Sequence, residues 1–225
     1  MSLILYPSLR RGLLIGGLIT ALLTAASMFF VDVPLALFFN SYRQTAWADF
    51  FAFITDFANG AIWYSLAVLA IGAAYLKYKR GPDADDLKFK QRARAWAFMI
   101  VTMMTSGIFI NAVKLMVGRE RPRFLFRDGS AEFHPFGLRL ADCAFPSGHT
   151  QSIWTAMLCL SLLFPKWRAP FLAVAATIGA SRVIIGAHYL ADVIASIYIA
   201  FAFTLLWRSW FEKDGISVRL GAGPN

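Results

Sequence analysis

The apolar run from Gly12 to Val31 constrains this chain most, because it is long enough to cross a bilayer as one helix. Five further apolar runs cover about residues 60–76, 95–115, 150–164, 171–185 and 189–207. With 58% hydrophobic and 16% charged residues, the chain is also too apolar for an ordinary soluble domain. The sequence therefore predicts an all-α, polytopic membrane protein with six transmembrane helices.

The segment between the first two runs, residues 32–59, has a mixed composition. Its apolar residues recur at i, i+3, i+4 and i+7, and they are Phe50, Phe53, Ile54 and Phe57. Asp49 and Asp56 lie off that face. This pattern predicts an amphipathic helix that lies in the membrane interface.

The first run is expected to stay in the protein, because it exceeds the apolar core of a cleaved signal peptide, which is the alternative interpretation. A break in the chain is predicted at Gly81-Pro82, after the second run. The fourth run is short, so its helix is expected to begin in the preceding Pro146–His149 or to be shielded by protein. No linker or repeat divides the sequence. We therefore expect residues 1–225 to form a single membrane domain with its motif core in residues 114–192.

The distribution of Lys and Arg predicts the orientation of the chain. Six spans place both chain ends on one side, and that side carries 14 basic residues against 8 on the other. The positive-inside rule then places both ends in the cytoplasm. The small size and the lack of an Asn-x-Ser/Thr sequon are compatible with a bacterial inner membrane. This topology accounts for the net charge of +9 without nucleic acid, and no obligate protein partner is expected.

Three segments bring polar residues to the opposite, periplasmic face. They are Lys114–Pro122, Pro146–His149 and Ser181–Asp192. Ionisable groups next to apolar sequence are costly and usually mark function. We expect Lys114, Arg121 and Arg182 to bind phosphate oxygens. Ser147 and Gly148 are expected to add a hydroxyl and backbone N–H groups at a helix start.

His149, His188 and Asp192 supply the remaining groups that cleavage of a phosphate ester requires. Asp192 follows His188 at i+4, so a helix beginning near His188 would let the carboxylate orient the imidazole. We predict that His188 is the nucleophile, through a phosphohistidine, and that His149 protonates the leaving oxygen. A structural ion pair is the alternative interpretation of His188 and Asp192. This face carries no carboxylate-rich cluster for two metal ions, so a reaction without metal or other cofactor is expected.

Together the three segments resemble the signature of the type 2 phosphatidic acid phosphatase (PAP2) superfamily. They read K-x6-RP in Lys114–Pro122, PSGH in Pro146–His149 and SR-x5-H-x3-D in Ser181–Asp192. The resemblance implies the family's six-helix membrane fold and agrees with the roles assigned above. Family members act on lipid phosphates and pyrophosphates, including phosphatidic acid, phosphatidylglycerol phosphate, undecaprenyl pyrophosphate and lipid A phosphates. A lipid phosphate substrate in the bilayer is therefore expected, and the motifs do not choose among these lipids.

Two other functions use the same segments. A lipid-to-lipid phosphotransferase would pass the phosphoryl group from the histidine to another lipid instead of water. A lipid-phosphate carrier would bind without turnover, and it would not need His149, His188 and Asp192. Release of inorganic phosphate distinguishes a phosphatase from both.

The first segment and the loop that follows it carry charged residues that no motif position explains. The arginines among them are expected to form a solvated or lipid-facing surface, and they are Arg119, Arg123, Arg127 and Arg139. Arg119 and Arg123 are the best candidates for extra substrate contacts. Glu120 is expected to orient a neighbouring arginine, and His134 to be an exposed loop residue.

Overall fold

The computed structural model describes residues 7–80, 86–213 and 217–220 of the chain. These residues form α-helices and no strand, which confirms the all-α prediction. The helices are α1 (Pro7–Phe30), α2 (Asp32–Asn40), α3 (Ala46–Thr55), α4 (Gly60–Arg80), α5 (Asp86–Val117), α6 (Pro122–Asp128), α7 (Gly148–Leu163), α8 (Arg168–Ile184) and α9 (Leu190–Phe211). The predicted break at Gly81-Pro82 lies outside the described residues.

Four helices in the described part of the chain are long and apolar enough to cross a membrane. They cover Pro7–Phe30, Gly60–Lys79, Lys88–Val117 and Leu190–Phe211. Helices α7 and α8 have 16 and 17 residues. At about 1.5 Å per residue they span roughly 24 and 26 Å, less than the roughly 30 Å of a hydrocarbon core.

The short helix α7 is largely enclosed by other helices. It packs against α5, α8 and α9, and most of its residues are buried. It begins at Gly148, inside the Pro146–His149 segment, as predicted for the fourth apolar run. Protein rather than lipid therefore surrounds much of this helix.

The described chain ends lie at one end of the bundle. Near the C-terminus, the Leu220 N–H donates to the carbonyl of Leu163, the last residue of α7, at 3.1 Å. At the opposite end of α7, the Ser147 N–H donates to the Asp192 carbonyl at 3.2 Å. This second contact joins the first turns of α7 and α9, where the three motif segments meet.

Helix α3 coincides with the predicted amphipathic segment. Thr55, its last residue, is buried against α8, where its Oγ1 accepts a hydrogen bond from Ser181 at 3.0 Å. Trp47, Phe50 and Phe53 lie exposed on α3. The helix therefore packs on the bundle at its C-terminal end and presents aromatic side chains away from it.

The loop after α5 folds back onto the end of that helix. Gly118 has a φ of 59°, and a Cβ at this position would lie 1.9 Å from the His134 carbonyl oxygen, so only glycine fits. The His134 N–H donates to the Gly118 carbonyl at 2.8 Å, and the Ala144 N–H donates to the Arg119 carbonyl at 2.6 Å. These backbone bonds hold the first two motif segments side by side.

Candidate active site

The imidazole of His188 and the carboxylate of Asp192 form a buried pair at the start of α9. His188 Nδ1 lies 3.4 Å from Asp192 Oδ2, and the two side chains are 1% and 0% exposed. The helix begins at Leu190, so His188 precedes it, contrary to the helix start assumed from the sequence. The pair forms because Asp192 Oδ2 accepts the Tyr189 N–H at 2.8 Å in a capping box, which turns the carboxylate toward the loop.

The surroundings of His188 favour its neutral form. Burial lowers the pKa of His188 well below its usual 6.5, and the positive charges of Lys114, Arg121, Arg182 and His149 lower it further. The carboxylate beside it, Asp192, is already paired with Arg119. The imidazole is therefore unprotonated at pH 7, as a nucleophile must be.

Lys114 reaches the site from the last turn of α5. Its side chain is buried, and Nζ donates to the carbonyls of Cys143 and Ala144 at 2.8 and 3.3 Å. An ammonium has three donors, so one remains for a ligand. The charge of Lys114 acts on His188, which places it beside the nucleophile candidate.

Arg182 reaches the site from α8. It is buried, and its Nη1 donates to Thr55 Oγ1 at 2.8 Å. The Nε atoms of Arg182 and Arg121 are both buried and have no hydrogen-bond partner within the described residues. Unpaired buried donors are costly, on the order of 1–3 kcal/mol each, and an anion between the two guanidinium groups would satisfy them.

Ser147, Gly148 and His149 form the start of α7. Ser147 is the buried N-cap residue, and its Oγ accepts from the backbone N–H and hydroxyl of Thr150 at 3.3 and 2.9 Å. Its own hydroxyl hydrogen remains available as a donor. A Cβ at Gly148 would meet nothing closer than Lys114 Cε at 3.9 Å, so the protein leaves open space there. His149 is exposed, and Arg182, Arg121 and Lys114 act on it electrostatically.

All eight residues predicted from the motifs therefore meet at one end of the bundle. They are Lys114, Arg121, Ser147, Gly148, His149, Arg182, His188 and Asp192. The structure brings together a buried nucleophile candidate, three cations and an exposed histidine. Their catalytic roles remain predictions.

The interpretation of Arg119 as a solvated residue or a substrate contact is wrong. Its side chain is buried, with Nη1 donating to Asp192 Oδ1 at 2.9 Å and Nη2 lying 2.7 Å from Asp32 Oδ2. Two carboxylates and the ring of Tyr189, 4.0 Å from the guanidinium carbon, enclose it. Arg123, in contrast, is about half exposed and paired with Asp142.

Within the described residues, Glu120 forms no ion pair with an arginine, although the sequence suggested that it would orient one. Its carboxylate accepts from the Ser130 hydroxyl and, at 3.1 Å, from the Glu132 N–H. The Nε2 of His134 lies 3.3 Å from its other oxygen. His134 is thus a partly exposed loop residue that closes the loop with Glu120.

No motif pointed to Thr55 or Asp32. Thr55 holds Arg182, and Asp32 holds Arg119, each from an element outside the motif core. Asp32 follows directly on the first apolar run, and an acidic group there is costly unless it has a partner, which is the signal that could have identified it. Among the described residues, no group of three or more His, Cys, Asp or Glu side chains is placed to hold a metal ion.

A helical membrane bundle with a buried His–Asp pair facing three cations defines a class of membrane proteins equipped for phosphoryl transfer. The sequence model of the PAP2 superfamily matches residues 95–216. The chain belongs to this superfamily. The predicted resemblance is confirmed, and with it the class of enzyme, a phosphatase that acts as a phosphoric monoester hydrolase.

Two named relatives and one solved structure are similar to this chain. A lipid A 1-phosphatase from Rhizobium etli is 31% identical over 90% of this chain and 86% of its own length. A lipid A 1-phosphatase from Rhizobium johnstonii is 36% identical over 55% of this chain and 51% of its own. The crystal structure of a transmembrane PAP2-type phosphatidylglycerolphosphate phosphatase from Bacillus subtilis superposes with a TM-score of 0.64 at 19% identity, covering 89% of this chain and 96% of that one. The last similarity concerns the fold.

Proposed function

We propose that this chain is a membrane lipid phosphatase that hydrolyses a lipid phosphomonoester through a phosphohistidine on His188. The observation that carries the proposal is the buried His188–Asp192 pair, 3.4 Å apart, beside Lys114, Arg121 and Arg182. Asp192 lies on the Nδ1 side, so the Nε2 lone pair is left for attack. The similarity to the Rhizobium etli lipid A 1-phosphatase makes the 1-phosphate of lipid A the first substrate to test.

The first step transfers the phosphoryl group to the enzyme. Lys114, Arg121 and Arg182 hold the equatorial oxygens and neutralise their charge, with the Ser147 hydroxyl and the Gly148 N–H as further donors. His188 Nε2 forms a bond to phosphorus as the bond from phosphorus to the lipid oxygen breaks. His149 gives its proton to that oxygen, so the lipid leaves as an alcohol.

The second step returns the enzyme to its starting state. His149, now neutral, takes a proton from water while the water oxygen attacks phosphorus. The bond between phosphorus and His188 Nε2 breaks, and inorganic phosphate leaves. His188 is again neutral and His149 is again protonated.

The bundle is proposed to sit in the inner membrane with α1, α4, α5, α7, α8 and α9 as its six spans. Both chain ends then lie in the cytoplasm and the site faces the periplasm, with α3 in the interface. The support is that the described chain ends and the site lie at opposite ends of the bundle, and that α7 is enclosed by protein. A reporter enzyme that is active only in the periplasm, fused after the C-terminus, should be inactive; an active fusion would contradict this orientation.

The test of function is phosphate release by purified, detergent-solubilised protein with EDTA present. The panel contains lipid A, phosphatidylglycerol phosphate, phosphatidic acid and undecaprenyl pyrophosphate. Wild type should release phosphate from lipid A, and His188→Ala should not. His134→Ala is the matched control, because it also removes a histidine, but one that contacts Glu120 in the loop. Dependence on added metal would contradict a metal-independent reaction.

Three other outcomes have distinct meanings. Transfer of labelled phosphate to a second lipid, without free phosphate, would identify a phosphotransferase. Tight binding of lipid A without any turnover by folded protein would identify a carrier. Release from another lipid in preference to lipid A would keep the phosphatase and replace the substrate.

A further inference from the structure

Arg119 is a buried cation next to the candidate active site, and the proposed reaction does not use it. Its guanidinium joins two carboxylates, with Nη1 on Asp192 Oδ1 at 2.9 Å and Nη2 2.7 Å from Asp32 Oδ2. The ring of Tyr189 lies 4.0 Å from the guanidinium carbon and restricts its orientation. Arg119 is therefore fixed by three groups, and one of them is the partner of His188.

Asp32, at the start of α2, is the far end of this chain of contacts. It is 1% exposed, and its Oδ1 accepts from the Ser27 hydroxyl at 2.7 Å and from the Ala191 N–H at 3.0 Å. Asp32 thus ties the end of α1 and the first turn of α9 to Arg119. It holds α9 at the turn that carries Asp192.

The charges of this cluster are unequal. One guanidinium serves two buried carboxylates, and a buried charge is stable only when it is paired and hydrogen-bonded. Arg119 interacts with Asp32 as well as with Asp192, so it does not fully neutralise the charge of Asp192. Asp192 therefore keeps negative potential directed at Nδ1 of His188.

We propose that Asp32 and Arg119 form a positioning relay that acts on His188 through Asp192. The relay fixes Asp192 Oδ2 beside Nδ1, and it preserves the negative charge that stabilises the imidazole as it becomes positive on accepting the phosphoryl group. Neither residue touches the substrate. The inference rests on the proposed function of His188.

The test uses Asp32→Asn, which keeps the volume of the side chain and removes its charge. We expect kcat for phosphate release to fall about tenfold, comparable with the loss when a group that orients a metal ligand is removed in other enzymes. The KM for the lipid and the inhibition constant of inorganic vanadate should stay within about twofold, because the cation clamp is unchanged. A merely structural role of Asp32 would not produce this separation of kcat from KM.

Ser27→Ala is the matched control. It removes the hydrogen bond to Asp32 Oδ1, not to the Oδ2 that faces Arg119, and changes no charge, so kcat should stay within about twofold of wild type. Arg119→Lys is the second test variant. A single ammonium keeps the positive charge but cannot bridge both carboxylates, so it should reproduce the loss in kcat.

The outcomes separate the relay from the proposed function. Absence of phosphate release by wild type in the same assay would contradict the proposed function itself. If wild type is active and Asp32→Asn has an unchanged kcat, or differs from wild type only by a raised KM, the relay is overturned. If Asp32→Asn does not fold, Arg119→Lys decides by the same criteria. Failure of both to fold while Ser27→Ala folds would overturn the relay in favour of a structural role.

Discussion

The two histidines of the site lie in opposite environments. His188 is 1% exposed and held beside Asp192 at the start of α9, whereas His149 is exposed on the first turn of α7. The same three cations act on both. The difference corresponds to the two roles proposed for them. A nucleophile gains from a fixed, desolvated position, whereas an acid that meets first a lipid oxygen and then water needs access to solvent.

The largest effect should come from His188→Ala. Without a nucleophile no phosphohistidine forms, so phosphate release should fall by at least about 10³-fold. The measurement is initial rate on lipid A with wild type, His188→Ala and His134→Ala in parallel. If His188→Ala keeps activity within about tenfold of wild type, His188 is not the nucleophile and the two histidines do not have the proposed different roles.

His149→Ala should have the next largest effect, and it should depend on the leaving group. Proton donation contributes on the order of 10²-fold or more when the leaving oxygen is a poor leaving group. The rate on the lipid should therefore fall by that factor, while the rate on an activated aryl phosphate should fall much less. Equal losses on both substrates would contradict the role of His149 as an acid.

The protonation state of His188 is a further test of the difference between the two histidines. Because its pKa is lowered by burial and by neighbouring cations, the imidazole should stay neutral as the pH falls below 6.5. His188 binds a proton at a higher pH in the unfolded chain than in the folded protein, so acidification also lowers the free energy of unfolding. Carbon NMR of labelled histidines, assigned with His134→Ala and His149→Ala, measures this titration. A His188 signal that titrates near pH 6.5 would contradict the burial argument.

The smallest of these effects should be that of Ser147→Ala, and it should be an effect on stability. Ser147 caps α7, and loss of an N-cap hydroxyl costs about 1 kcal/mol. Its backbone N–H, which reaches the Asp192 carbonyl, is retained. Denaturation in mixed micelles measures the change in the free energy of unfolding, with Ser161→Ala on the same helix as control. A much larger loss would mean that the hydroxyl supports more than the cap.

The helices and the meeting of the motif segments could be predicted because apolar runs and their polar ends are local features. Gly148, for example, begins α7 inside the segment where its start was expected. The contact between His188 and Asp192 was also expected, although it arises from capping by Asp192 and not from a shared helix face.

The environment of Arg119 could not be predicted in the same way. Its position in a basic loop is typical of solvated charge, and only the folded chain brings Asp32 to it from α2. The link between Thr55 and Arg182 is similarly long-range. Neither pairing has a periodicity or motif that marks it in the sequence.

The most direct test of the proposed phosphohistidine mechanism is to trap the covalent intermediate. Wild-type protein is mixed with lipid A labelled at its 1-phosphate, quenched with alkali within the first turnover, digested and analysed by mass spectrometry. We expect an alkali-stable, acid-labile phosphoryl group on His188 in wild type and none in His188→Ala. Phosphate release by wild type without labelled His188, or with the label on another residue, would contradict it.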